Sequence, residues 1–400
     1  MTLVRHGETV SNISGRWQGQ SDSPLSDRGQ RQVELLRRRM TGRRPNLLIS
    51  SDLGRTRTTC AAIGEGEPLA EWREYDLGAW DGMRPDEIRA RYPEVENERF
   101  GSGDFQPEGG ERFSDFIVRV RGAFDRLAAR VDDREEAIVV THGGVIQTIV
   151  GSLVGAVDQS GMLVPSNTSV TTIRMDGGRV EVFSYNDDLH LNGDAARPSG
   201  TRLRLIRHGE TEANLEHRWW GRGESPLSPA GRRQAAALAD TGMAFDAIVA
   251  SPSGRAQETA RAVAAGNGVP IQTVDGLVEL HFGEWEGLTG AEAQAEDPEA
   301  FHRIFAEGHD EPRGRTGERF ADAGERFSEA AAGVAETEAG TVGVFTHGGV
   351  MRAYVASMLG IPFAGRDVFP IPRNTAHCEI IYAAGGPRIS SYNVATHLGD

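Results

Sequence analysis

Along the 400 residues, short apolar runs alternate with longer stretches in which apolar residues recur at helical spacing. This is the rhythm of strands joined by crossover helices in a mainly parallel sheet, so the predicted fold class is α/β. In the N-terminal half, strands are predicted at 2–5, 46–49, 137–141, 170–175 and 180–185. A helix is predicted over 30–40, after Ser26-Asp27-Arg28-Gly29, and a second over 113–131, where Phe116, Val120, Phe124 and Leu127 share a face. In such sheets the ligand crevice opens beyond the carboxyl ends of the strands.

The pattern runs twice. Leu3-Val4-Arg5-His6-Gly7-Glu8-Thr9 returns as Leu205-Ile206-Arg207-His208-Gly209-Glu210-Thr211, and Thr141-His142-Gly143-Gly144-Val145 returns as Thr346-His347-Gly348-Gly349-Val350. Between them, Ser51-Asp52-Leu53-Gly54-Arg55 answers to Ser251-Pro252-Ser253-Gly254-Arg255. The Trp80 loop, Arg73 to Gly82, answers to the Trp285 loop, Val278 to Gly287. Four blocks in one order, repeating after roughly 200 residues, indicate a duplicated whole domain rather than a solenoid. The predicted domains are 1–195 and 201–400, joined near 193–200, where Ala195-Ala196-Arg197-Pro198-Ser199-Gly200 reads as linker.

Composition narrows the chemistry. The formal net charge of −15 argues against nucleic-acid and anionic-membrane partners, and no apolar run is long enough to span a bilayer or to serve as a signal segment. Cys60 and Cys378 stand far apart without a companion ligand, so neither a disulfide nor a zinc site is expected and both are read as reduced, cytoplasmic thiols. All 43 basic residues are arginine, which excludes a Walker lysine and a lysine Schiff base. Arginine stays charged and presents a planar fork that matches phosphate oxygens.

Transfer of a phosphoryl group needs an in-line nucleophile, cations around the equatorial oxygens and a proton donor for the leaving group. Each half carries an Arg-His-Gly turn at the end of its first strand, a second Arg opening a helix, a Glu in a Trp-containing loop and a His in a Thr-His-Gly-Gly turn. The two histidines of each half leave strand ends and so can meet over one crevice. With arginines supplying the charge, no metal and no cofactor are required.

These blocks resemble the histidine phosphatase superfamily, in the branch of cofactor-dependent phosphoglycerate mutases and their phosphatase relatives, over both halves. The signature Arg-His-Gly-Glu-Thr followed by an Asn is present with Asn12 and Asn214. The resemblance implies two tandem three-layer α/β/α domains with a phosphoglycerate mutase-like fold. It casts His6 and His208 as phosphorylated nucleophiles and Glu74 and Glu279 as proton donors. Arg5, Asn12, Arg55 and His142 in one half, and Arg207, Asn214, Arg255 and His347 in the other, would bind the phosphate. Arg-His-Gly-Glu and Thr-His-Gly-Gly depart from the acid-phosphatase and phytase pattern and favour the mutase-like branch.

Within that branch, equal acid-to-second-His segments in both halves lack the longer insertion that the resemblance associates with true mutases. Pro107-Glu108-Gly109-Gly110-Glu111 and Thr316-Gly317-Glu318 look like a phosphatase's substrate-side loop. The expectation is a metal-independent phosphatase acting on a small phosphorylated metabolite. Mutase-type transfer, other non-hydrolytic chemistry in the same pocket, and one active domain beside a non-catalytic phosphoester-binding one remain the alternatives.

The halves differ where Gln18 becomes Trp220 and where Asp76 and Asp81 become His281 and Glu286. Two different substrates, or one weakened site, would follow. Trp80, Trp285, His190 and His397 are expected to be structural, and Arg37-Arg38-Arg39 a solvated helix face. The fused pair is expected to mimic a homodimer, with further homo-oligomerisation left open.

Overall fold

The structure is a computed structural model that describes residues 1–93, 104–132, 135–155, 161–191 and 199–399. The chain divides into two compact units, Met1–Arg197 and Pro198–Asp400. Most of the expected linker, 192–198, lies outside the described residues.

In the first unit the strands are β1 (Thr2–Arg5), β2 (Leu47–Ser50), β3 (Glu67–Pro68), β4 (Ala137–Thr141), β5 (Val170–Asp176) and β6 (Arg179–Asp187). Their order is β3-β2-β4-β1-β5-β6, parallel from β3 to β1 and antiparallel at the two remaining pairings. The five predicted strands are present within two residues at each end. The two-residue edge strand β3 was not predicted, because Glu67–Pro68 has no apolar face to signal it. The β5–β6 turn places Gly177 and Gly178 at φ 54° and 84°, the left-handed pair that a tight hairpin requires.

Helices α1 (Val10–Ile13), α2 (Asp27–Arg39), α3 (Gly54–Cys60), α4 (Pro85–Arg91), α5 (Phe113–Ala128) and α6 (Gly143–Val154) fill the connections. Helix α2 starts three residues before the predicted position because the Ser26 hydroxyl accepts from Gly29 N and caps the end. Helix α5 stops at Ala128, short of the predicted 131. Val4, Ile138 and Val140 pack on one face of the sheet with Leu36, Met40 and Cys60 from the α2–α3 layer. Leu3 and Val139, of opposite phase along the same strands, are equally buried, and α5 and α6 lie against each other with α6 on β1. A sheet covered on both faces explains why these strands read as unbroken apolar runs.

The second unit repeats the plan with β7 (Thr201–Arg207), β8 (Ala247–Ala250), β9 (Ile271–Thr273), β10 (Thr341–Thr346), β11 (His377–Ala383) and β12 (Gly386–Val394), in the order β9-β8-β10-β7-β11-β12. Its helices are α7 (Glu212–Leu215), α8 (Pro229–Asp240), α9 (Gly254–Asn267), α10 (Gly290–Glu296), α11 (Pro298–Phe305), α12 (Phe320–Thr337) and α13 (Gly348–Met358). Ile206, Ile248 and Phe345 pack here against Leu238 of α8 and Ala260 and Val263 of α9. No helix among the described residues is long and apolar enough to cross a membrane.

The expected solvated face of α2 needs one correction. Arg37 and Arg38 pair with Glu34 in solvent, but Arg39 is buried, with its guanidinium 2.7 Å from Asp187. The helical period turns the third arginine of the run toward β6, where a carboxylate compensates its charge. Trp80 and Trp285 are both buried.

Leu36 sits fully buried in the α2–sheet interface, so Leu36→Ala should cost about 2–5 kcal/mol. The expected result is a fall of the first unit's thermal transition, followed by near-UV circular dichroism, on the order of 10 °C.

Candidate active sites

Sheet register assembles each site. In β1 and β4, Arg5 lies opposite Thr141, and in β2 and β4, Ser50 lies opposite Val140. The chain therefore leaves three neighbouring parallel strands together, and the next residues are Ser51, His142 and His6. The His6 and His142 rings meet edge to face with centroids 5.3 Å apart, and His142 Nε2 lies 2.9 Å from Ser51 Oγ. The second unit repeats this with His208 and His347 at 5.2 Å and His347 Nε2 at 2.9 Å from Ser251 Oγ.

His6 Nδ1 lies 2.7 Å from its neighbour's carbonyl, Gly7 O, and His208 Nδ1 holds the same relation to Gly209 O. A carbonyl only accepts, so the proton resides on Nδ1 and Nε2 keeps its lone pair. Burial, reinforced by Arg55 and Arg5, pushes the His6 pKa well below its usual value. Burial with Arg255 and Arg207 does the same for His208. His142 and His347 are lowered likewise, again chiefly by burial. All four imidazoles are neutral at pH 7.

The cations are held by backbone carbonyls. Arg5 donates to Pro165 O, and Arg55 donates to Gly19 O and Ser21 O. Arg207 donates to Pro372 O, and Arg255 to Gly221 O and Gly223 O. Burial lowers Arg5 and Arg207 to about 10, which leaves both charged at pH 7. In the first unit Arg5 Nε, Arg55 Nε and His142 Nδ1 are buried nitrogens without a hydrogen-bond partner among the described residues, whereas in the second Arg255 Nε donates to His347 Nδ1 at 3.2 Å.

Glu74 accepts from Gly144 N at the start of α6, and Glu279 accepts from Gly349 N and Val350 N at the start of α13. Each carboxylate is thus docked on a helix N-terminus beside the second histidine. Every residue of Thr-His-Gly-Gly acquires a reason. The Thr141 hydroxyl donates to Trp72 O, pinning the acid loop two residues before Glu74. A Cβ on Gly143 would stand 3.2 Å from Arg5 Nε and closer still to Val164. One on Gly144 would stand 2.4 Å from Glu74 Oε1. Gly348 and Gly349 are confined in the same way by Ile371, Arg207 and Glu279.

Arg5, His6, Arg55, Glu74 and His142 are therefore brought together, as are Arg207, His208, Arg255, Glu279 and His347. Asn12 and Asn214 take a different place. Asn12 Oδ1 accepts from Thr9 N in a capping box and lies 3.4 Å from Asn167 Nδ2, whose amide also donates to His6 O. Asn374 stands in that position in the second unit. Asn167 and Asn374 were missed from the sequence, although Pro165-Ser166-Asn167-Thr168 and Pro372-Arg373-Asn374-Thr375 form a fifth repeated block that could have revealed them.

Arg119 and Arg326 were also missed. Each binds the acid loop's carbonyls and pairs with Glu111 or Glu318, so those glutamates brace the loop. Asp81 and Glu286 likewise grip the backbone of the turn whose carbonyls hold Arg55 and Arg255. Trp220 packs its indole against Gly223 and Gly287, where a side chain would collide. His190 and His397 support the left-handed residues Thr168 and Thr375 from behind.

Buried guanidinium and imidazole groups clustered beyond the carboxyl ends of a parallel sheet define a phosphate-handling α/β enzyme. Residues 1–188 and 203–395 match the Histidine phosphatase superfamily (branch 1), and the chain belongs to that superfamily through both halves, as a phosphoric monoester hydrolase. Glucosyl-3-phosphoglycerate phosphatase of Mycolicibacterium vanbaalenii is 32% identical over 166 residues, covering 39% of this chain and 74% of that protein. Metal-independent phosphoserine phosphatase of Arabidopsis thaliana is 32% identical over 201 residues, covering 48% and 83%. Among solved structures, Bacillus stearothermophilus YhfR aligns at 34% identity with a TM-score of 0.46, covering 50% of this chain and 100% of that one.

Four histidines held neutral set a pH dependence of stability. Their folded pKa values lie below the unfolded value near 6.5, so below that pH the unfolded chain binds more protons. Stability should fall as pH drops below 6.5, by up to about 1.4 kcal/mol per histidine per unit. Urea midpoints between pH 7.5 and 5 check this, and His142→Gln and His347→Gln should each flatten the slope.

Proposed function

We propose that each half hydrolyses small phosphomonoesters through its own phosphohistidine, and that the reacting groups are His6, Glu74, Arg5, Arg55 and His142, and His208, Glu279, Arg207, Arg255 and His347. The observation that carries this reading is the same in both halves. A buried neutral imidazole has its Nδ1 proton committed to a carbonyl, and its Nε2 stands among guanidinium groups next to a docked glutamate side chain. The phosphatase names of the relatives support it.

His6 Nε2 attacks phosphorus while the ester P–O bond breaks, and Glu74 delivers its proton to the departing alkoxide. Glu74, now a carboxylate, takes a proton from water. The resulting hydroxide attacks the phosphorylated imidazole, the P–N bond breaks, and inorganic phosphate leaves with His6 neutral again. Arg5 and Arg55, fixed by carbonyls before substrate arrives, stabilise the charge on the equatorial oxygens without reorganising. His142, braced by Ser51, donates to one of those oxygens. Asn167 fixes the carbonyl of His6 and with it the height of the ring. Glycerate-, serine- and sugar-type monoesters are the substrate class.

The test is hydrolysis of p-nitrophenyl phosphate in EDTA. His6→Ala and His208→Ala should each remove one half's share, and the double variant should lose at least ~10³-fold. Rapid quench with 32P-labelled substrate should give an acid-labile, base-stable protein label that each single variant diminishes. Full turnover by the double variant would overturn the mechanism. Gly144→Ala, read in His208→Ala protein, should displace Glu74 and lower kcat about 100-fold while leaving the unfolding transition in place.

A further inference from the structure

The two sites share their phosphate-binding groups but not the wall beside them. Three matched positions change from glutamine to arginine. Gln20, on the turn that holds Arg55, answers to Arg222; Gln106, five residues before Glu111, answers to Arg313, five before Glu318; Gln147, on α6, answers to Arg352 on α13. The equivalences are structural as well as sequential. The 105–111 and 313–318 loops both press backbone against the acid-loop glycine, Gly78 or Gly283, and Gln147 and Arg352 both lie one turn into the helix that docks the acid.

In the first unit these side chains are neutral and all three are hydrogen-bonded by the protein, Gln20 to Glu74 O and Arg73. The Gln147 amide donates to Met162 O and that of Gln106 to Gly110 O. In the second unit the same wall carries Arg313 and Arg352 and adds Arg366. Arg313 and Arg366 lie over the Phe363 ring at 4.5 and 3.5 Å, and Arg352 lies over Phe320, which packs on Phe363. Asp310 pairs with Arg313, and Asp367 with both Arg352 and Arg366. The wall is buried enough that desolvation lowers Arg313 to about 10.

Two of the arginines retain donors. Arg352 Nη1 binds Asp367, but its buried Nε has no acceptor among the described residues, and Nη2 has none there either. Arg313 uses Nη1 for Asp310 and Glu311 O. The wall also adjoins the reacting groups. Arg352 feels the charge of Glu279, and Gly314, next to Arg313, accepts from Glu284 N on the acid loop.

The geometry points to a second anion subsite in the second half, with Arg352 and Arg313 binding a carboxylate or second phosphate on the leaving group. The first half, with glutamines there, takes a leaving group without that charge. This rests on the second half being a phosphatase. Two guanidinium forks facing one anion give charge-assisted bonds, each of which discriminates about 10–100-fold. A buried donor such as Arg352 Nε is costly to leave unpaired until an acceptor joins it.

The experiment uses the full chain carrying His6→Ala, so that turnover reports the second half. Three probes separate the possibilities: glycerol 3-phosphate has no second anion, 3-phosphoglycerate adds a carboxylate, and fructose 1,6-bisphosphate adds a phosphate. At least one anion-bearing probe should exceed glycerol 3-phosphate in kcat/KM by at least ~10-fold. Arg352→Gln, which installs the first half's residue, should bring that ratio close to one, and Arg313→Gln should lower it in the same direction. In the reciprocal His208→Ala chain the ratio should stay near one. A merely structural wall would lower all probes together with the unfolding temperature, and that result, or no preference at all, overturns the subsite. If the His6→Ala chain hydrolyses no aryl phosphate, the phosphatase reading of that half fails instead. Calorimetric binding of 3-phosphoglycerate and fructose 1,6-bisphosphate against glycerol 3-phosphate then decides the subsite, which is rejected if the His6→Ala chain binds all three equally or if Arg352→Gln leaves the preference for the anion-bearing probes unchanged.

Discussion

Everything in each half is arranged around buried guanidinium groups that sit next to an imidazole which must not be protonated. Two positive charges inside a protein are tolerable only if the backbone solvates them, and here carbonyls do so: Pro165, Gly19 and Ser21 in one half, Pro372, Gly221 and Gly223 in the other. Those carbonyls need rigid turns. Asp81 and Glu286 supply them by gripping the turn amides, one methylene apart in length and slightly different in the amides they reach. The arginines in turn help keep the histidine neutral, so the same charges that receive a phosphoryl group also prepare its acceptor.

Close approach is the second constraint. The acid, the first-strand arginine and the second histidine converge at the first turn of one helix, where two successive residues must lack a side chain. Helix N-terminal amides then hold the acid, and a threonine hydroxyl anchors its loop from below. The Thr-His-Gly-Gly turn is therefore a junction of three elements, and that explains why the same four residues occur in both halves while the surrounding loops diverge.

Divergence between the halves is greatest at the walls. The histidine pairs stand 5.3 and 5.2 Å apart and each acid accepts a glycine amide at 2.9 Å, with Arg255 reaching His347 and Glu279 a second amide in the second half, while the flanking helices and the glutamine-to-arginine positions differ outright. Chemistry and selectivity are thus carried by separate parts of each unit, the first on strand ends and the second on loops and on the outer turn of a helix.

Much of this was legible before any coordinate. Apolar period and block repetition led to the α/β class, the duplication, five strands of the first half and the five charged or imidazole groups of each site, because strand ends and glycine turns leave a local signature. Asn12 was legible as a motif residue, but its contact with Asn167, far along the chain, was not, because only the fold brings the two amides together. Arg39 looked solvated because its neighbours are, and only the packing of α2 on β6 buried it. Glu111, Glu318, Arg119 and Arg326 needed the folded acid loop before their pairing had meaning. Local propensity and pattern thus determine which elements form and which groups end them. Register between strands distant in sequence decides which groups meet, how far each is dehydrated and which donors stay unpaired, because those quantities depend on neighbours that no stretch of chain contains by itself.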